Sequence, residues 1–445
     1  MSRYSIVVLL TLVFGTMASG CFGTPGKQPV SEEEVNFLNE IMSEKLRKAG
    51  IDTNFSFSGN SNMTVCLINQ AAVGNKMPET FSYKGNIYLR YDNKTSDLGF
   101  GLEIGTKQKS GLMKQGNPIC DSSFLYFESD SIGKIKIGYT NTAADAFCIK
   151  GDSVYVGYQG PGSGDLGAFY NVSAGALVDS DFFANDANAL KIAWISPTIS
   201  GMSLGVSFTP DSKSANLFRT RKSLSGLTID DGWDFAHTTA FSKNVVTAGI
   251  AYEYGIPDDF NMKVSVAGWL GKGESSKNFS SISVNNVKAY NVGLVLGYKN
   301  FKMAAGFLDG GQSLLAKRFA TEEDATPFDP EAVYDIHNLA IGIKEGADAG
   351  KVYSVGLAYK FGKWTLSGGY FRSSTKFSHS EKATAEVVTV AVSYVFNKVM
   401  SVYFEYDDIK TQTCDRAMKY KKACNLNCNP DNRASVFMIG TCINF

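Results

Sequence analysis

Three features are scarce in this 445-residue sequence, and each absence excludes a class of protein. After the N-terminal segment, no apolar run is long enough to form a membrane-spanning helix, which excludes a helical membrane protein. The 43 basic and 43 acidic side chains cancel, so no excess of positive charge indicates a nucleic-acid partner. The histidines, His237, His337 and His379, are far apart in the chain, which argues against a catalytic triad or a metal cluster. We therefore predict no cofactor, no bound metal and no nucleic-acid partner.

Aromatic residues and glycine are abundant, whereas proline is rare. The chain has 30 Phe, 21 Tyr and 44 Gly but only 11 Pro, and its mean hydropathy is close to zero. This composition fits neither a helical membrane protein nor a disordered chain. Polar and apolar residues must therefore alternate, as they do in a β-barrel wall with lipid outside and water inside.

The N-terminal residues have the layout of a secretory signal peptide. A basic residue precedes an apolar run that is too short to span a membrane, and small residues up to Gly20 follow, so we predict a signal peptide over residues 1 to 20. The small residues before Cys21 also approximate a lipoprotein box, which leaves lipidation as an alternative. Residues 21 to 53 are a predicted periplasmic segment, in which a capping box and apolar spacing predict a helix over residues 31 to 49.

Eight cysteines in an exported chain predict disulfides, because the compartment outside the cytoplasm is oxidising. A zinc site is the competing interpretation, but no histidine lies near these cysteines and a CxxxC spacing supports metal binding only weakly. The connectivity cannot be deduced from spacing. The disulfide candidates, which we place in predicted loops, are Cys120, Cys148, Cys414, Cys424 and Cys428.

From residue 54 onward the chain repeats one pattern, in which a short turn and a long polar connection alternate between strands. The short turns are predicted at residues 93–94, 130–131, 197–198, 257–258, 299–300, 362–363 and 397–398. The long connections are predicted near residues 70–81, 108–122, 141–189, 210–232, 272–287, 310–350, 374–383 and 410–433. Seven turns and eight loops predict sixteen strands in an up-and-down antiparallel β-barrel over residues 54 to 445.

Charged residues define which face of each strand meets lipid. In one predicted strand Ile135 and Ile137 alternate with Lys134 and Lys136, and a lysine that faced lipid at mid-bilayer would cost about 2 to 4 kcal/mol. The lysines must therefore face water, and Arg90 follows the same rule in its own strand. A barrel this wide cannot be filled by side chains, so its interior is predicted to be an aqueous channel.

The last residues of the chain alternate in the same way. The apolar face of this predicted closing strand comprises Phe437, Ile439, Ile443 and the terminal Phe445. A soluble β-sandwich also alternates polar and apolar residues, but it needs no signal peptide, no terminal aromatic and no rim asymmetry. The pattern therefore favours an outer-membrane barrel.

Several stretches of the chain resemble the general porins of Gram-negative bacteria, most closely the alphaproteobacterial type. The stretches are FLYFESDSIGKIKIGYT (124–140), WISPTISGMSLGVSFTP (194–210), YSVGLAYKFG (353–362) and NRASVFMIGTCINF (432–445). The resemblance implies a sixteen-stranded outer-membrane barrel, commonly a homotrimer, whose third loop, here residues 141–189, folds inward. It also implies contact with outer-membrane lipid and lipopolysaccharide, and assembly by the barrel-assembly machinery through Phe445.

The chain departs from that family in its many cysteines, its helical leader and its long loops at residues 310–350 and 410–433. In these features it is similar to cysteine-containing surface porins of obligate intracellular bacteria. The loop at 410–433 is rich in basic residues and could contact lipopolysaccharide phosphates or a host surface, although such charge runs are usually just solvated.

Charges at the narrowest point of a diffusion pore determine its selectivity. The predicted acidic residues of the constricting loop are Asp145, Asp152, Asp165, Asp179, Asp181 and Asp186. The predicted basic residues of the facing wall are Lys84, Arg90, Lys134, Lys136, Lys302 and Lys360. With acids concentrated on the loop, we predict a weak preference for cations.

Two other functions compete with a passive channel. The barrel could display disulfide-bridged loops that bind a host or partner molecule or stiffen the envelope. An outer-membrane enzyme is disfavoured, because no Ser and His lie together on one lipid-facing strand. We therefore predict a non-enzymatic channel for small hydrophilic solutes and ions.

Overall fold

The computed structural model describes most of the chain from residue 55 onward. The described residues are 55–70, 81–95, 98–111, 119–158, 160, 189–212, 240–257, 259–275, 283–314, 348–376, 382–413 and 431–444. The predicted signal peptide, the alternative lipidation at Cys21 and the helix over residues 31 to 49 lie outside these ranges. Within the ranges, no helix is both long enough and apolar enough to cross a bilayer.

Sixteen antiparallel strands form a closed barrel, which confirms the predicted all-β fold. The strands are β1 (Phe55–Gln70), β2 (Phe81–Thr95), β3 (Leu98–Gly111), β4 (Ile119–Ser129), β5 (Gly133–Tyr139), β6 (Leu190–Ile195), β7 (Met202–Asp211), β8 (Ala240–Ile256), β9 (Phe260–Ser275), β10 (Val287–Tyr298), β11 (Phe301–Asp309), β12 (Asp348–Phe361), β13 (Trp364–Lys376), β14 (Lys382–Val395), β15 (Met400–Gln412) and β16 (Asn432–Asn444). Each strand pairs with its neighbour in sequence, and β16 pairs with β1 to close the ring. Closure leaves no unpaired strand edge, as a spanning β-structure requires.

Alternating burial along each strand separates an outer face from an inner face. In β12, Val352, Ser354 and Gly356 are buried, whereas Tyr353 and Val355 are 51% and 40% exposed. The exposed row is apolar, so it is the row that hydrocarbon covers in a membrane. The same alternation holds in β16, where Phe437 and Ile439 lie on the exposed row and Ile443 is partly buried, while Phe445 lies outside the described residues.

Aromatic residues mark both ends of the apolar outer face. Toward the long-loop rim, the rings of Tyr290 and Tyr353 pack against Phe307, with centroids 5.9 and 4.9 Å away. Toward the short-turn rim, Trp364 packs against Tyr394 at 4.7 Å. Two such girdles are expected where a barrel passes through the two membrane interfaces.

The prediction of the first short turn at residues 93–94 is wrong. Strand β2 continues to Thr95, and Asn93 pairs with Phe100 of β3, so residues 93–94 belong to the strand pair. The strands extend beyond the apolar belt into water, and their ends contain polar residues of the kinds that are common in turns. For the same reason Cys120, which we expected in a loop, lies in β4 opposite Thr106.

A hydrogen-bonded tyrosine links three strands where the ring closes. The Tyr403 side chain of β15 crosses over Gly440 of β16, where any Cβ would collide with its hydroxyl. The hydroxyl lies 2.5 Å from Thr64 Oγ1 and donates to Asn62 Oδ1 at 2.8 Å, both on β1. The closing strand is therefore bridged by a buried side chain in addition to its ladder of backbone hydrogen bonds.

We expect Tyr403→Phe to lower the free energy of unfolding by about 1 to 3 kcal/mol, because Thr64 and Asn62 lose a buried partner. The midpoint of urea unfolding in detergent, followed by the heat-modifiable migration of the folded barrel, measures this change. Tyr406→Phe is the matched control, since the Tyr406 hydroxyl is on the outer face and makes only a long 3.4 Å contact with Ser435 Oγ. Equal midpoints for the two variants would contradict the proposed role of Tyr403.

Candidate functional site

The long connection between β5 and β6 begins with residues 140–158, which enter the barrel. Its first 3₁₀ turn, Ala144–Phe147, packs on β7, β8 and β9, and its second, Gly151–Val154, packs on β11, β12 and β13. A segment that leaves β5 can reach strands so far around the ring only through the interior. We call residues 140–158 the inward loop; the rest of the connection, apart from Gly160 and Ala189, lies outside the described residues.

Pairs of glycines on neighbouring strands receive the apolar side chains of the inward loop. Gly205 and Gly249 lie opposite each other on β7 and β8, and a Cβ on either would come within 2.5 Å of the Phe147 ring. Gly293 and Gly306 form a second such pair on β10 and β11, beneath Ile149. The absence of side chains at these positions lets the loop lie directly on the inner wall.

Serine and threonine hydroxyls hold the backbone of the inward loop. Ser207 and Thr247, which are hydrogen-bonded to each other at 2.6 Å, accept from the backbone N–H groups of Ala143 and Ala144 at 3.1 and 3.3 Å. The further contacts of this kind are Gly151 N to Ser354 Oγ at 2.9 Å and the mutual pair between Val156 and Ser367 at 3.0 and 3.1 Å. These bonds satisfy backbone groups that packing against the wall removes from water.

Charged side chains fix both ends of the inward loop. At its start the buried Lys191 of β6 donates from Nζ to the carbonyl oxygen of Thr140 at 2.7 Å. At its far end the N–H of Tyr158 donates to Glu405 Oε2 of β15. Sequence reasoning assigned no role to Lys191 or Glu405, although both occupy inward positions of the strand alternation.

A cluster of cations lies on the inner wall formed by β2 to β5. Arg90 and Lys134 both lie over the ring of Tyr126, at 5.5 and 4.2 Å from its centroid, and Lys136 lies 5.0 Å from the centroid of Phe124. Both rings are buried beneath the cations. The closed ring therefore brings together three of the six predicted basic residues.

Two carboxylates that the sequence analysis missed belong to this cluster. Arg90 pairs with Glu103 at 3.3 Å, and Lys134 pairs with Glu128 at 3.0 Å. Three cations and two carboxylates leave a net charge of +1, so the cluster is much less basic than its lysines alone suggest. Glu103 and Glu128 occupy inward-facing positions of β3 and β4. The alternation along these strands could therefore have identified them from the sequence.

The other predicted basic residues do not join the cluster. Lys302 and Lys360 are exposed inner-row residues on β11 and β12, near the short-turn rim and about halfway around the ring from β4. Both face the lumen, as predicted, but ring closure places them in a different sector from Arg90, and their part in lining the narrow point stays a prediction. Lys84 lies in β2 opposite Asn62, and its side chain is outside the described residues.

The inward loop contains two of the predicted acids. Asp145 is exposed and accepts from the backbone N–H of Thr142 at 2.8 Å. Asp152 is partly buried, and burial raises the pKa of its carboxyl above the ordinary value, although Lys150 partly opposes this. The remaining predicted acids, Asp165, Asp179, Asp181 and Asp186, lie outside the described residues.

Cys148 of the inward loop has a free thiol, so the disulfide that we predicted for it is not formed here. The thiol packs against the apolar cluster of the inner wall. The other predicted partners, Cys414, Cys424 and Cys428, lie outside the described residues, as does the side chain of Cys120. Their pairing stays a prediction.

We expect Cys148 to react slowly with thiolate-specific reagents in the folded protein. Burial raises the pKa of its thiol to about 12, so the thiolate fraction at pH 8 falls about a thousandfold below that of an ordinary cysteine. Maleimide labelling of a variant that retains only Cys148, before and after unfolding in urea, measures the difference. Equal labelling rates in the two states would contradict burial of this thiol.

In the ranges that the structure describes, no three His, Cys, Asp or Glu side chains come together in a metal-binding arrangement. The prominent arrangement is instead a lumen that is narrowed on one side by the inward loop and charged on the facing wall. Such a lumen is built to discriminate solutes by size and charge.

Comparisons with known proteins agree with this architecture. Residues 48–413 match the family described as Gram-negative porin. Uncharacterized proteins of Rickettsia bellii and Rickettsia conorii are 24% and 23% identical to the chain over 391 and 448 residues, covering 77% and 94% of it and 79% and 90% of those proteins. Rickettsia are alphaproteobacteria, which agrees with the resemblance seen in the sequence.

Solved structures share the fold at low sequence identity. The OmpF of Salmonella typhi, in a complex with daunomycin, has a TM-score of 0.54 at 14% identity and covers 88% of this chain and 97% of that one. A loop L8 deletion mutant of OmpT, an outer membrane protein of Vibrio cholerae, has a TM-score of 0.50 at 13% identity and covers 88% and 100%.

Proposed function

Because the chain belongs to the Gram-negative porin family and forms a bacterial outer-membrane β-barrel, we propose that it is a water-filled channel for passive diffusion of small hydrophilic solutes and ions. The observation that carries this proposal is the fixed position of the inward loop. It lies flat against β7 to β13, leaving the charged wall of β2 to β5 facing the lumen. A passive pore needs this combination and no nucleophile or general base, so we propose no enzymatic activity.

We further propose that the channel prefers cations weakly. Two features support this proposal: Glu103 and Glu128 leave the cluster around Tyr126 with a net charge of only +1, and the connection between β5 and β6 contains six aspartates. The zero-current potential across a bilayer in a KCl gradient tests the preference. A chloride preference would contradict it, and Asp152→Asn with Asp165→Asn is expected to lower the K⁺ preference.

The assembly and the partners of the barrel also belong to this proposal. We propose a homotrimer embedded in outer-membrane lipid and lipopolysaccharide, inserted by the barrel-assembly machinery through Phe445. Cross-linking of the native membrane form would give three bands for a trimer. A single monomer band would contradict the trimer without affecting the channel.

Recordings of purified full-length protein in planar bilayers test the channel itself. Stepwise, ohmic openings are expected, and nonelectrolytes of graded size should reduce the conductance until they exceed the width of the pore. Protein that is folded, as shown by heat-modifiable migration, but that stays silent would contradict the channel. That outcome would favour the alternative function, the display of loops at the cell surface.

A further inference from the structure

Two carboxylates on β15 are buried beneath the far end of the inward loop. Glu405 and Asp407 both occupy the inner row and are 3% and 0% exposed. No lysine or arginine of the described chain forms an ion pair with either carboxylate. Within the described chain two acids are thus removed from water without a cationic partner, which is unusual for buried charges.

Oxygens without a hydrogen-bond partner surround this pair. Glu405 uses Oε2 to accept from Tyr158 N–H, but its Oε1 and both carboxylate oxygens of Asp407 are buried and unpartnered. Thr389 is 1% exposed and lies directly opposite Asp407 in the register of β14 and β15, and its Oγ1 bonds to neither carboxylate. The hydroxyl of Tyr155, from the inward loop, is the fifth oxygen; it lies beside Thr389, and apart from that contact it has no partner among the described residues.

The five oxygens belong to one site. Glu405 and Asp407 are two residues apart on the same face, and Thr389 faces Asp407 across the strand pair. Burial, followed by the nearby charges of Glu405 and Asp407, raises the pKa of the Tyr155 hydroxyl, and a hydrogen bond with the Thr389 side chain partly opposes this. Neither hydroxyl donates to Glu405 or Asp407, so both carboxyl groups keep oxygens without a donor among the described residues.

We propose that Glu405, Asp407, Thr389 and Tyr155 bind a divalent cation of the hard, oxygen-preferring class, best matched by Ca²⁺. Two carboxylates balance the charge of such an ion, and every available ligand is oxygen. Ca²⁺ accepts irregular sets of six to eight oxygens, which these side chains and water can supply, whereas Mg²⁺ demands near-ideal octahedral geometry. The ion would tie the inward loop, through Tyr155, to the barrel wall.

This inference does not depend on the channel conducting, because it concerns binding to the folded chain. Purified full-length protein in detergent is stripped with a chelator and then titrated with CaCl₂ by calorimetry. We expect one Ca²⁺ per chain and an unfolding temperature that rises with Ca²⁺ concentration. Asp407→Asn, which keeps the shape and removes one charge, should weaken Ca²⁺ binding at least about tenfold.

Asp408→Asn is the matched control. Asp408 is the next residue in the same strand but lies on the outer row, where it pairs with Arg433 at 2.9 Å, so its loss should leave Ca²⁺ binding unchanged. Thr389→Val removes a neutral oxygen ligand without a change of charge and should weaken binding by a smaller factor. Heat-modifiable migration identifies the variants that fold.

Two outcomes would overturn the site. Folded wild-type protein that binds no Ca²⁺ at millimolar concentration would show that the pair holds only protons or water. Equal Ca²⁺ affinity in the wild type, Asp407→Asn and Thr389→Val would place the ion elsewhere on the barrel.

Discussion

Replacing Lys134 and Lys136 together with glutamine is expected to raise the K⁺ to Cl⁻ permeability ratio of the channel about threefold or more. The change takes the cluster around Tyr126 from a net charge of +1 to −1, because Glu103 and Glu128 remain. In a water-filled pore with low-dielectric walls, such a reversal alters the local concentrations of both ions. The zero-current potential in a KCl gradient measures the ratio directly.

The double replacement of Lys302 and Lys360 by glutamine is the matched control for this prediction. It removes the same total charge from the inner row, but at two exposed lysines that lie apart from the cluster on the other side of the ring. Only a small change in the permeability ratio is expected there. If both double variants changed the ratio equally, selectivity would depend on the total charge of the lumen and the cluster would have no special role.

The second large effect is expected from a substitution beneath the inward loop. Gly249→Val places a side chain where a Cβ alone would lie 2.5 to 2.7 Å from Phe147. Overpacking of this kind costs about 1 to 3 kcal/mol, and the loop can relieve it only by moving away from the wall toward the pore axis. We therefore expect a clear decrease in single-channel conductance, together with greater current noise in the open state.

A second substitution distinguishes the collision from general damage. Phe147→Ala in the Gly249→Val background removes the ring that the valine would strike and should restore most of the conductance. Gly268→Val is the control, because Gly268 lies on the outer row and a Cβ there meets only Ala289 O, at 3.6 Å. Normal conductance in Gly249→Val alone would mean that Phe147 does not position the loop.

Most of the fold could be predicted from alternation along single strands. The period of two in Lys134 to Ile137 defined the inner row of that strand, since one misplaced lysine in lipid outweighs any local propensity. Turn positions were less certain, as the error at Asn93 shows. Where a strand extends into water, both of its faces are polar. The alternation of polar and apolar residues therefore ends before the strand does.

The candidate site was only partly predictable, because it depends on contacts across the ring. Arg90 and Lys134 converge on Tyr126 because β2 to β5 are neighbours in the sheet, and alternation along these strands predicts that pairing. By contrast, Phe147 reaches the glycine pair of β7 and β8 because a long connection passes through the lumen. No local signal in the sequence determines that path, so Gly205 and Gly249 resembled ordinary strand glycines.

Neutral hydroxyl groups hold much of the inward loop, as at Ser207, Ser354 and Ser367. A hydrogen bond between a hydroxyl and a backbone amide carries no net charge, so dissolved ions screen it little. Contacts between exposed charges, by contrast, are weakened over a Debye length of about 8 Å at physiological ionic strength. The bore of the barrel should therefore stay constant between dilute and concentrated media, even where its ion selectivity fades.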